Sequence, residues 1–377
     1  MARKILIVSA EASGDLHASH LVRNLKNLNP GLEFFGLGGE LSKREGVETA
    51  FDTSSLAVVG LVDVIKNIFA IKKIFSGLVK RIDEEKPCLA ILVDYPGFNL
   101  ALASQLKKRG IPVIYYISPQ VWAWGEKRIE TIKKCVTKVI VFFKFEEELY
   151  RRHGIDAEFV GHPLVETVKA SLSKEEVIKK HGLAQGRPLV ALLPGSRTGE
   201  VKALLPVMTG AAMIMEKGLP GAQFIIAKYR DFNAGLFDDA LKDTRLDARV
   251  ISGDTYNILG ASDFAIVASG TATLETAIMG TPFIITYKAS LINFLAYKLV
   301  AKIHFLGLVN IIAGKEIVPE FLQYDATAEN LAGASLDIMR NGGKRSAMVE
   351  ELKKVKDSLG SPGASERAAG AILPYVK

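Results

Sequence analysis

Cysteine is scarce in this chain, with only Cys88 and Cys135 among 377 residues. The two have neither the spacing of metal ligands nor a set of further cysteines to pair with. We interpret both as reduced core residues of a cytoplasmic protein. The sequence therefore predicts no metal site.

Long apolar runs are also missing. Nowhere do about 18 apolar residues follow one another without a charge, so no transmembrane helix is expected. The first residues resemble a signal peptide, but their apolar run at 5–10 is short and ends in Glu11 and Asp15. We interpret this run as a first buried strand.

Nucleic-acid-binding patterns are absent although the formal net charge is +7. That charge predicts attraction to something anionic: nucleic acid, a phosphorylated ligand or a membrane surface. No dense run of lysine and arginine interleaved with aromatic residues occurs, which argues against a nucleic-acid groove. The basic residues recur instead within apolar helical stretches.

What is present is a globular composition, 49% hydrophobic and 24% charged. At 377 residues the chain exceeds what one hydrophobic core usually holds, so two domains are expected. Short β-rich runs alternate with helical patterns over 5–160 and again over 189–286, as in parallel βαβ units. We predict an α/β fold with two doubly wound Rossmann-like domains facing a cleft.

A turn of small residues in the second half of the chain ends in an arginine, in the sequence LLPGSR at 192–197. Ligands of doubly wound sheets bind beyond the carboxyl ends of the strands, where a guanidinium can grip a phosphate with two hydrogen bonds. Arg197 is therefore a candidate anion-binding residue. The alternative is a strand-end turn with a surface arginine.

A second small-residue turn follows the predicted strand at 264–267. Ser269, Gly270 and Thr271 would let backbone amides approach a phosphate at a helix N-terminus. Glu275, about one helical turn further, could accept hydrogen bonds from ribose hydroxyls. Together with Arg197 these residues predict a nucleotide diphosphate pocket; the alternative is an ordinary capped helix.

Acidic residues end two strands of the first half. The first strand runs into EASGD at 11–15, where the G-x-G-x-x-G dinucleotide fingerprint is absent. This is a substrate-facing turn or a helix N-cap made by Ser13 or Asp15. The strand at 89–93 runs into Asp94 and a Pro-Gly turn, which favours a general base in the crevice; an Asx turn or helix cap is the alternative.

Two further segments have both a functional and a structural interpretation. Trp122 and Trp124, the only tryptophans, lie in a segment that also contains proline and glycine. We expect their rings to form a wall of the cleft; the alternative is that at least one ring packs in the core. Gly161-His162-Pro163 lies near the expected domain boundary. It is either a hinge or a common turn in which His162 is structural.

These motifs together resemble the lipid-A-disaccharide synthase family over nearly the whole chain. The matching segments are 9–15, Asp94 with 98–99, 118–124, 161–162, 192–197, 269–275 and 309–314. The resemblance implies an inverting glycosyltransferase of the GT-B type that needs no metal or other cofactor. It would join UDP-2,3-diacylglucosamine to 2,3-diacylglucosamine 1-phosphate (lipid X), releasing UDP and a β-1,6-linked disaccharide.

The resemblance also implies roles for individual residues. Asp94 and Glu11 fall on catalytic positions, with Asp94 deprotonating the 6-hydroxyl of lipid X. Substrate-binding positions fall on Arg197, Ser13, Gly14, Ser269, Gly270, Thr271, Glu275 and Asn310. Relatives often carry a second acidic residue three positions after the aspartate, where this chain has Gly97, which would leave Asp94 as the base here.

On this interpretation the domain at 1–165 faces acceptor and membrane, the domain at 166–350 binds the UDP-sugar, and a helix at 351–377 packs back on the first domain. The segment 56–81 is predicted to face a membrane. It is more apolar than one buried helix face requires, and its five basic residues suit an anionic membrane surface. A similar apolar stretch lies at 291–300. Plain core helices are the alternative for both. We expect a cytoplasmic protein peripheral to the inner membrane, as a monomer or an oligomer.

Two other classes stay open. A UDP-N-acetylglucosamine 2-epimerase of the same architecture would share the UDP pocket without needing an acyl groove. A non-catalytic lipid-binding protein would need the apolar helices but not Arg197, Asp94 and Glu275. A dinucleotide oxidoreductase is disfavoured because the glycine fingerprint is missing.

Overall fold

The computed structural model describes residues 3–49, 61–122, 127–229, 232, 235–242, 244, 246–288 and 304–376, with the backbone alone at 61–67 and 127. All predicted site residues fall within these ranges. The predicted apolar stretches at 56–60 and 291–300 and the ring of Trp124 lie outside the described residues.

The chain divides into two compact units, residues 1–163 with 359–377 and residues 164–358. Each unit contains one parallel sheet with connecting helices, which confirms the predicted α/β class with two doubly wound domains. The chain returns to the first unit at residue 359, eight residues after the predicted start at 351.

Seven parallel strands form the sheet of the first unit, in the order β3-β2-β1-β4-β5-β6-β7. In chain order, β1 to β7 are Arg3–Val8, Leu32–Leu37, Val47–Thr49, Leu89–Val93, Val113–Tyr116, Lys138–Val141 and Ala157–Phe159. Strand order reverses between β1 and β4. Doubly wound sheets bind ligands at such a switch point, beyond the carboxyl ends of the strands.

Helices connect these strands. In chain order, α1 to α6 are Ala12–Leu28, Glu40–Arg44, Leu61–Glu85, Pro96–Lys108, Lys127–Cys135 and Lys144–Arg152, and α16 is Ala364–Ile372. A short 3₁₀ helix, Leu373–Tyr375, follows α16. α16 packs along α1 and adds Ala368, Ala369 and Ile372 to the core on that face of the sheet.

The second unit repeats the architecture with six parallel strands in the order β10-β9-β8-β11-β12-β13. β8 to β13 are Leu189–Leu193, Gln223–Lys228, Ala248–Ser252, Phe264–Ala268, Phe283–Tyr287 and Glu320–Leu322. The described helices α7 to α15 are Leu164–Thr167, Lys174–Lys180, Thr198–Gly218, Gly235–Leu241, Thr255–Ala261, Thr271–Met279, Leu308–Ala313, Ala328–Arg340 and Gly342–Ser358. The switch point of this sheet lies between β8 and β11.

Burial explains why the strands are apolar runs. β4, β8 and β11 are buried at every position because both faces of their sheets are covered. The strands β3 and β13 are three residues each, lie at sheet edges and were not predicted. The predicted strands at 5–10, 89–93 and 264–267 are confirmed by β1, β4 and β11.

Helix α3 covers most of the segment predicted to face a membrane. Ile74, Leu78 and Ile82 are buried in the first unit's core, whereas Ile68 and Phe69 are 39% and 83% exposed. The helix therefore has a core face and an exposed apolar pair. No helix among the described residues is both long and apolar enough to cross a bilayer.

Candidate active site

Two carboxylates follow neighbouring strands at the switch point of the first sheet. β1 pairs with β4, with Val8 opposite Leu92. Glu11 comes just after β1, at the N-cap of α1, and makes no side-chain cap hydrogen bond there. Asp94 comes directly after β4. The two lie close enough for the Glu11 charge to affect the titration of Asp94.

The backbone of Asp94 adopts an unusual conformation. Its φ is 48° and that of Tyr95 is 47°, left-handed values that are uncommon outside glycine. The buried Asn99 donates from Nδ2 to the Asp94 carbonyl oxygen at 2.7 Å, and the buried Tyr115 donates from its hydroxyl to the same oxygen, also at 2.7 Å. Tyr95 is the cap residue of α4, so the helix-cap interpretation of Asp94 is wrong.

The environment of Asp94 favours the protonated carboxyl. Burial raises the pKa of Asp94 above its ordinary value, the Glu11 carboxylate raises it further, and a hydrogen bond with the Tyr95 backbone partly offsets both. A carboxylate with a raised pKa is a stronger base than an exposed one. Asp94 is therefore suited to accept a proton from a hydroxyl group.

The rest of the EASGD turn divides into exposed and structural residues. Ser13 is exposed and Gly14 is buried in the first turn of α1. The Asp15 carboxylate accepts hydrogen bonds from the backbone amides of Gly39, Leu41 and Ser42 at 2.8 to 3.1 Å. Asp15 thus anchors the start of α2, and the prediction that Ser13 or Asp15 caps α1 is wrong, because Glu11 is the cap residue.

Trp122 is held by a buried glutamate that the sequence did not single out. Its indole nitrogen donates to Glu146 Oε1 at 3.0 Å. Burial raises the pKa of Glu146 to about 7, although hydrogen bonds to its carboxylate lower the pKa and so partly oppose this shift. The position of Trp122 is therefore tied to the first turn of α6, and the side chain is half-buried rather than part of the inner core.

The Gly161-His162-Pro163 segment is tightly constrained on the first unit. Gly161 has a φ of 87°, and a Cβ there would lie 2.7 Å from Arg367 Nη2. The His162 ring packs against Phe142 and Phe143, and burial lowers its pKa to about 3. A neutral, packed His162 agrees with the structural interpretation of that residue.

In the second unit, a cavity of about 350 Å³ opens at the switch point. It is lined by the turns that follow β8 and β11 and by the end of β9: Gly195, Ser196, Arg197, Ser269, Gly270, Thr271, Lys228 and Tyr229. Glu275 also lines it. The structure thus brings together the residues of both predicted phosphate-binding turns.

Arg197 precedes α9 and extends into solvent. Its side chain is 66% exposed, and Nη1 lies 2.9 Å from Glu200 Oε1, one turn into the helix. Gly195 has a φ of 112°, and a Cβ there would lie 2.8 Å from the other Glu200 oxygen. Glycine is therefore required at 195, and Glu200 orients an arginine that keeps most of its surface free.

The turn after β11 leaves open space at the start of a helix. Gly270 is the N-cap residue of α12, has a φ of 145°, and has no described atom within 4 Å of where a Cβ would stand. No side chain of the described residues caps the helix at Gly270. Backbone amides at a helix N-terminus with free space before them attract an anion.

Glu275 lies where this cavity meets a neighbouring one of about 590 Å³, which Tyr256 also lines. The Tyr256 hydroxyl donates to Glu275 Oε1 at 2.8 Å. Burial raises the pKa of Glu275, and the Tyr256 hydrogen bond opposes that shift. One carboxylate oxygen is thus oriented by the protein, and the pair of cavities extends the site beyond the two predicted phosphate-binding turns.

Asn310 is not among the residues that line these cavities. It is fully buried, and its side chain is engaged within the protein. Nδ2 donates to the Val318 carbonyl and to Glu320 Oε1, at 2.7 and 2.8 Å, and Oδ1 accepts from the amides of Ile317 and Val318. This geometry favours a structural task for Asn310 over direct contact with substrate.

Comparison with known proteins identifies the family. A sequence model of the lipid-A-disaccharide synthetase family matches residues 5–371. The chain belongs to this family. Lipid-A-disaccharide synthase of Syntrophus aciditrophicus (strain SB) is 45% identical over 99% of the chain and 98% of its own length. That of Geobacter sulfurreducens is 41% identical over 99% and 97%. The lipid-A-disaccharide synthase family is one of glycosyltransferases, which confirms the predicted enzyme class.

Solved structures share the fold at low sequence identity. A glycosyltransferase from Rickettsia africae ESF-5 aligns with a TM-score of 0.60 at 16% identity, over 99% of this chain and 98% of its own. UDP-GlcNAc 2-epimerase from Neisseria meningitidis, bound to UDP-GlcNAc, aligns with a TM-score of 0.63 at 12% identity, over 98% and 100%. These likenesses confirm the GT-B class of fold. The likeness to epimerases extends to the fold alone.

Several residues of the site were missed by sequence reasoning. Glu200, Tyr256 and Tyr115 all orient a predicted site residue. Asn99, which also does so, was noted only as part of the segment that resembles the family. Glu200 has a weak signal, since an acid three residues after Arg197 faces it on a helix. Tyr115 and Tyr256 have none, because their partners are distant in sequence.

Proposed function

We propose that this protein joins UDP-2,3-diacylglucosamine to lipid X, giving the β-1,6-linked lipid A disaccharide 1-phosphate and UDP. The observation that carries the proposal is the 45% identity to a lipid-A-disaccharide synthase over 99% of the chain. The cavity at Arg197 supports it, because a nucleotide diphosphate needs cationic and amide donors of the kind found there.

Asp94 is the proposed base. Its carboxylate takes the proton from the 6-hydroxyl of lipid X as the oxygen attacks the anomeric carbon of the donor. The new carbon–oxygen bond forms opposite the breaking bond to the UDP phosphate, so the anomeric configuration inverts. The raised pKa of Asp94 and the hydrogen bonds that fix its backbone support this role. Glu11 assists by raising that pKa.

The second unit is proposed to receive the negative charge that leaves with UDP. Arg197 and the amides at Gly270 and Thr271 bind the diphosphate, and the charge that grows on it in the transition state strengthens those bonds. The Ser269 amide already donates to the Thr286 carbonyl, so Ser269 shapes the turn that presents the other two amides. Glu275 accepts hydrogen bonds from the ribose hydroxyls. Free space at Gly270 and the exposure of the Arg197 side chain support this assignment.

Membrane binding is proposed for the outer face of α3. Ile68 and Phe69 are exposed, and the exposed Lys72 and Lys73 follow one turn later. Exposed apolar side chains flanked by lysines suit the boundary of an anionic bilayer. We propose that the protein acts on the cytoplasmic side of the inner membrane as a peripheral protein, close to its acylated substrates.

The activity is tested by incubating the purified chain with UDP-2,3-diacylglucosamine and lipid X, with and without a chelator. Mass spectrometry should detect the disaccharide 1-phosphate, with an equal amount of UDP, in both samples. Loss of product in chelator would contradict a metal-free reaction. Turnover of UDP-N-acetylglucosamine without a lipid acceptor would instead favour an epimerase.

The membrane proposal is tested with Phe69→Ser in a liposome flotation assay containing anionic lipid. We expect weaker association, because Phe69 is 83% exposed and its loss leaves the core intact. Phe75 is unsuitable for this test, since its ring packs edge-on against Phe98 at 5.3 Å between centroids. Tyr324→Ser, 77% exposed on the second unit, is the matched control. Equal flotation of both variants and the unmodified protein would count against membrane docking through α3.

A further inference from the structure

We propose that Glu320, anchored by Asn310, is a positioning residue for the donor site. It fixes the turn at 306–307, and the Ser269 hydroxyl is held by that turn. The inference rests on the proposed function, because it assumes that the Ser269 turn holds the donor diphosphate. Neither Glu320 nor Asn310 lines the donor cavity, so both act through other residues.

The Glu320 carboxylate gathers three donors. Leu306 N–H donates to Oε2 at 2.8 Å, Gly307 N–H donates to Oε1 at 3.0 Å, and Asn310 Nδ2 donates to Oε1 at 2.8 Å. Two consecutive backbone amides bound by one carboxylate define the direction of the chain there. Hydrogen bonds to a charged acceptor are about twice as strong as neutral ones, so this turn is firmly held.

Asn310 fixes the carboxylate in turn. Its oxygen accepts from the backbone amides of Ile317 and Val318, at 2.9 and 3.0 Å. Its amide group spans the Val318 carbonyl and Glu320. Because Asn310 lies in α13, which starts right after Gly307, it ties the chain before β13 to the turn at 306–307.

The turn at 306–307 directly contacts the Ser269 turn that follows β11. The Ser269 hydroxyl donates to the Leu306 carbonyl oxygen at 3.3 Å, and the Ser269 amide donates to the Thr286 carbonyl at 3.0 Å. A Cβ at Gly307 would lie only 2.3 Å from Ile285 Cδ1, so the turn packs against β12 with no space to spare. Ser269 is therefore held between β12 and a turn whose place depends on Glu320.

Glutamine at 320 tests this arrangement while keeping the shape of the side chain. Its one oxygen cannot serve all three donors, and its NH₂ group would face a backbone N–H or the Asn310 amide. The turn at 306–307 should loosen and release Ser269. Calorimetric titration with UDP measures the result on the intact protein, and we expect Glu320→Gln to weaken UDP binding about tenfold.

Asp263→Asn is the matched control. Asp263 also anchors a backbone amide, accepting from Leu189 N–H at 2.9 Å, but it precedes β11 at the amino edge of the same sheet. We expect a lower melting temperature and unchanged UDP affinity. In steady-state assays Glu320→Gln should raise the KM for the UDP donor and leave the KM for lipid X unchanged, a split that general destabilisation does not produce.

Ser269→Ala decides whether Glu320 acts through Ser269. If it does, the double variant with Glu320→Gln and Ser269→Ala binds UDP with the same affinity as whichever single variant has the lower affinity. Additive losses, or UDP binding by Glu320→Gln equal to that of the unmodified protein, overturn the proposal. Arg197→Ala distinguishes a failure of this inference from a failure of the proposed function. If Arg197→Ala binds UDP weakly and Glu320→Gln binds it normally, only the role of Glu320 is overturned. No UDP binding by the unmodified protein removes this role and the proposed function together.

Discussion

The carboxyl edges of the two sheets carry different kinds of side-chain environment. At the first, Asp94 is partly buried, its backbone is left-handed, and Asn99 and Tyr115 hold it. At the second, Arg197 is 66% exposed and the start of α12 has open space around Gly270. The first edge fixes the backbone that carries its carboxyl group. The second keeps its arginine and its helix-start amides accessible to solvent.

This difference follows from what each edge does in the proposed reaction. A base needs a raised pKa and a fixed position. Burial raises the pKa of Asp94, and the hydrogen bonds from Asn99 and Tyr115 fix its left-handed backbone. A site for a leaving diphosphate needs donors that are oriented and still accessible, such as helix N-termini and an arginine. Variants of the two edges should therefore fail in different ways.

Asp94→Asn should have the largest effect on turnover. Asparagine tolerates the left-handed backbone, so the fold should remain, while the loss of the base should lower kcat about 100- to 10,000-fold. Disaccharide formation at saturating substrates measures it. Asp156→Asn, a half-exposed carboxylate of the same unit that pairs with Lys138, is the control and should keep full activity. Full activity in Asp94→Asn would remove Asp94 as the base.

Arg197→Ala should chiefly affect donor binding. Removing hydrogen bonds to a charged group should raise the dissociation constant of UDP about 10- to 100-fold. Arg249→Ala, an arginine of the same unit that lies outside the cavity, should bind UDP normally. If both variants bind UDP alike, the anion-site assignment fails. Liposome association should be unaffected in either case.

Tyr115→Phe should have a moderate effect by loosening the backbone of Asp94. It removes one buried hydrogen bond to the Asp94 carbonyl, and we expect kcat to fall about two- to tenfold with donor KM unchanged. Tyr150→Phe provides the comparison, because the Tyr150 hydroxyl donates to the Pro119 carbonyl at 3.1 Å instead. A loss of kcat that is equal in the two variants would indicate general destabilisation.

Glu11→Gln should have the smallest effect at neutral pH and a characteristic effect on the pH profile. As the proposed base, Asp94 must be ionised to accept a proton, so we expect activity to fall as the pH drops through its pKa. Removing the Glu11 charge removes one cause of the raised pKa, so the acid limb of kcat/KM should move to lower pH. Burial still holds the pKa above its ordinary value. Glu11→Asp keeps the negative charge, so the acid limb of its pH profile should stay where it is in the unmodified protein. A shift of the acid limb to higher pH in Glu11→Gln would contradict the proposed effect of Glu11 on the pKa of Asp94.

The sequence was informative where chemistry follows a buried strand. Arg197 and Ser269 both come within a few residues of an apolar run, and parallel strands bring their carboxyl ends to one edge. The structure places both on one cavity. Local turn signals were less reliable: Asp15 anchors α2 rather than α1, because its partners come from a later segment of the chain.

The supporting residues could not be found from the sequence. Glu320 lies on a three-residue edge strand without a readable pattern, and its partners at 306 and 307 are brought to it by tertiary folding. Glu146 looks like any acid in the first turn of a helix until Trp122 packs on it. Asn310 shows the reverse: the family resemblance assigned it to substrate, and its buried amide binds the protein instead.

The most direct test of the division between the two edges is UDP binding by Asp94→Asn. Calorimetric titration of this variant, alongside the unmodified protein and Arg197→Ala, separates donor binding from proton transfer. We predict that Asp94→Asn binds UDP with unchanged affinity although it makes almost no disaccharide, while Arg197→Ala loses affinity. A large loss of UDP affinity in Asp94→Asn, with Arg197→Ala unaffected, would contradict the account.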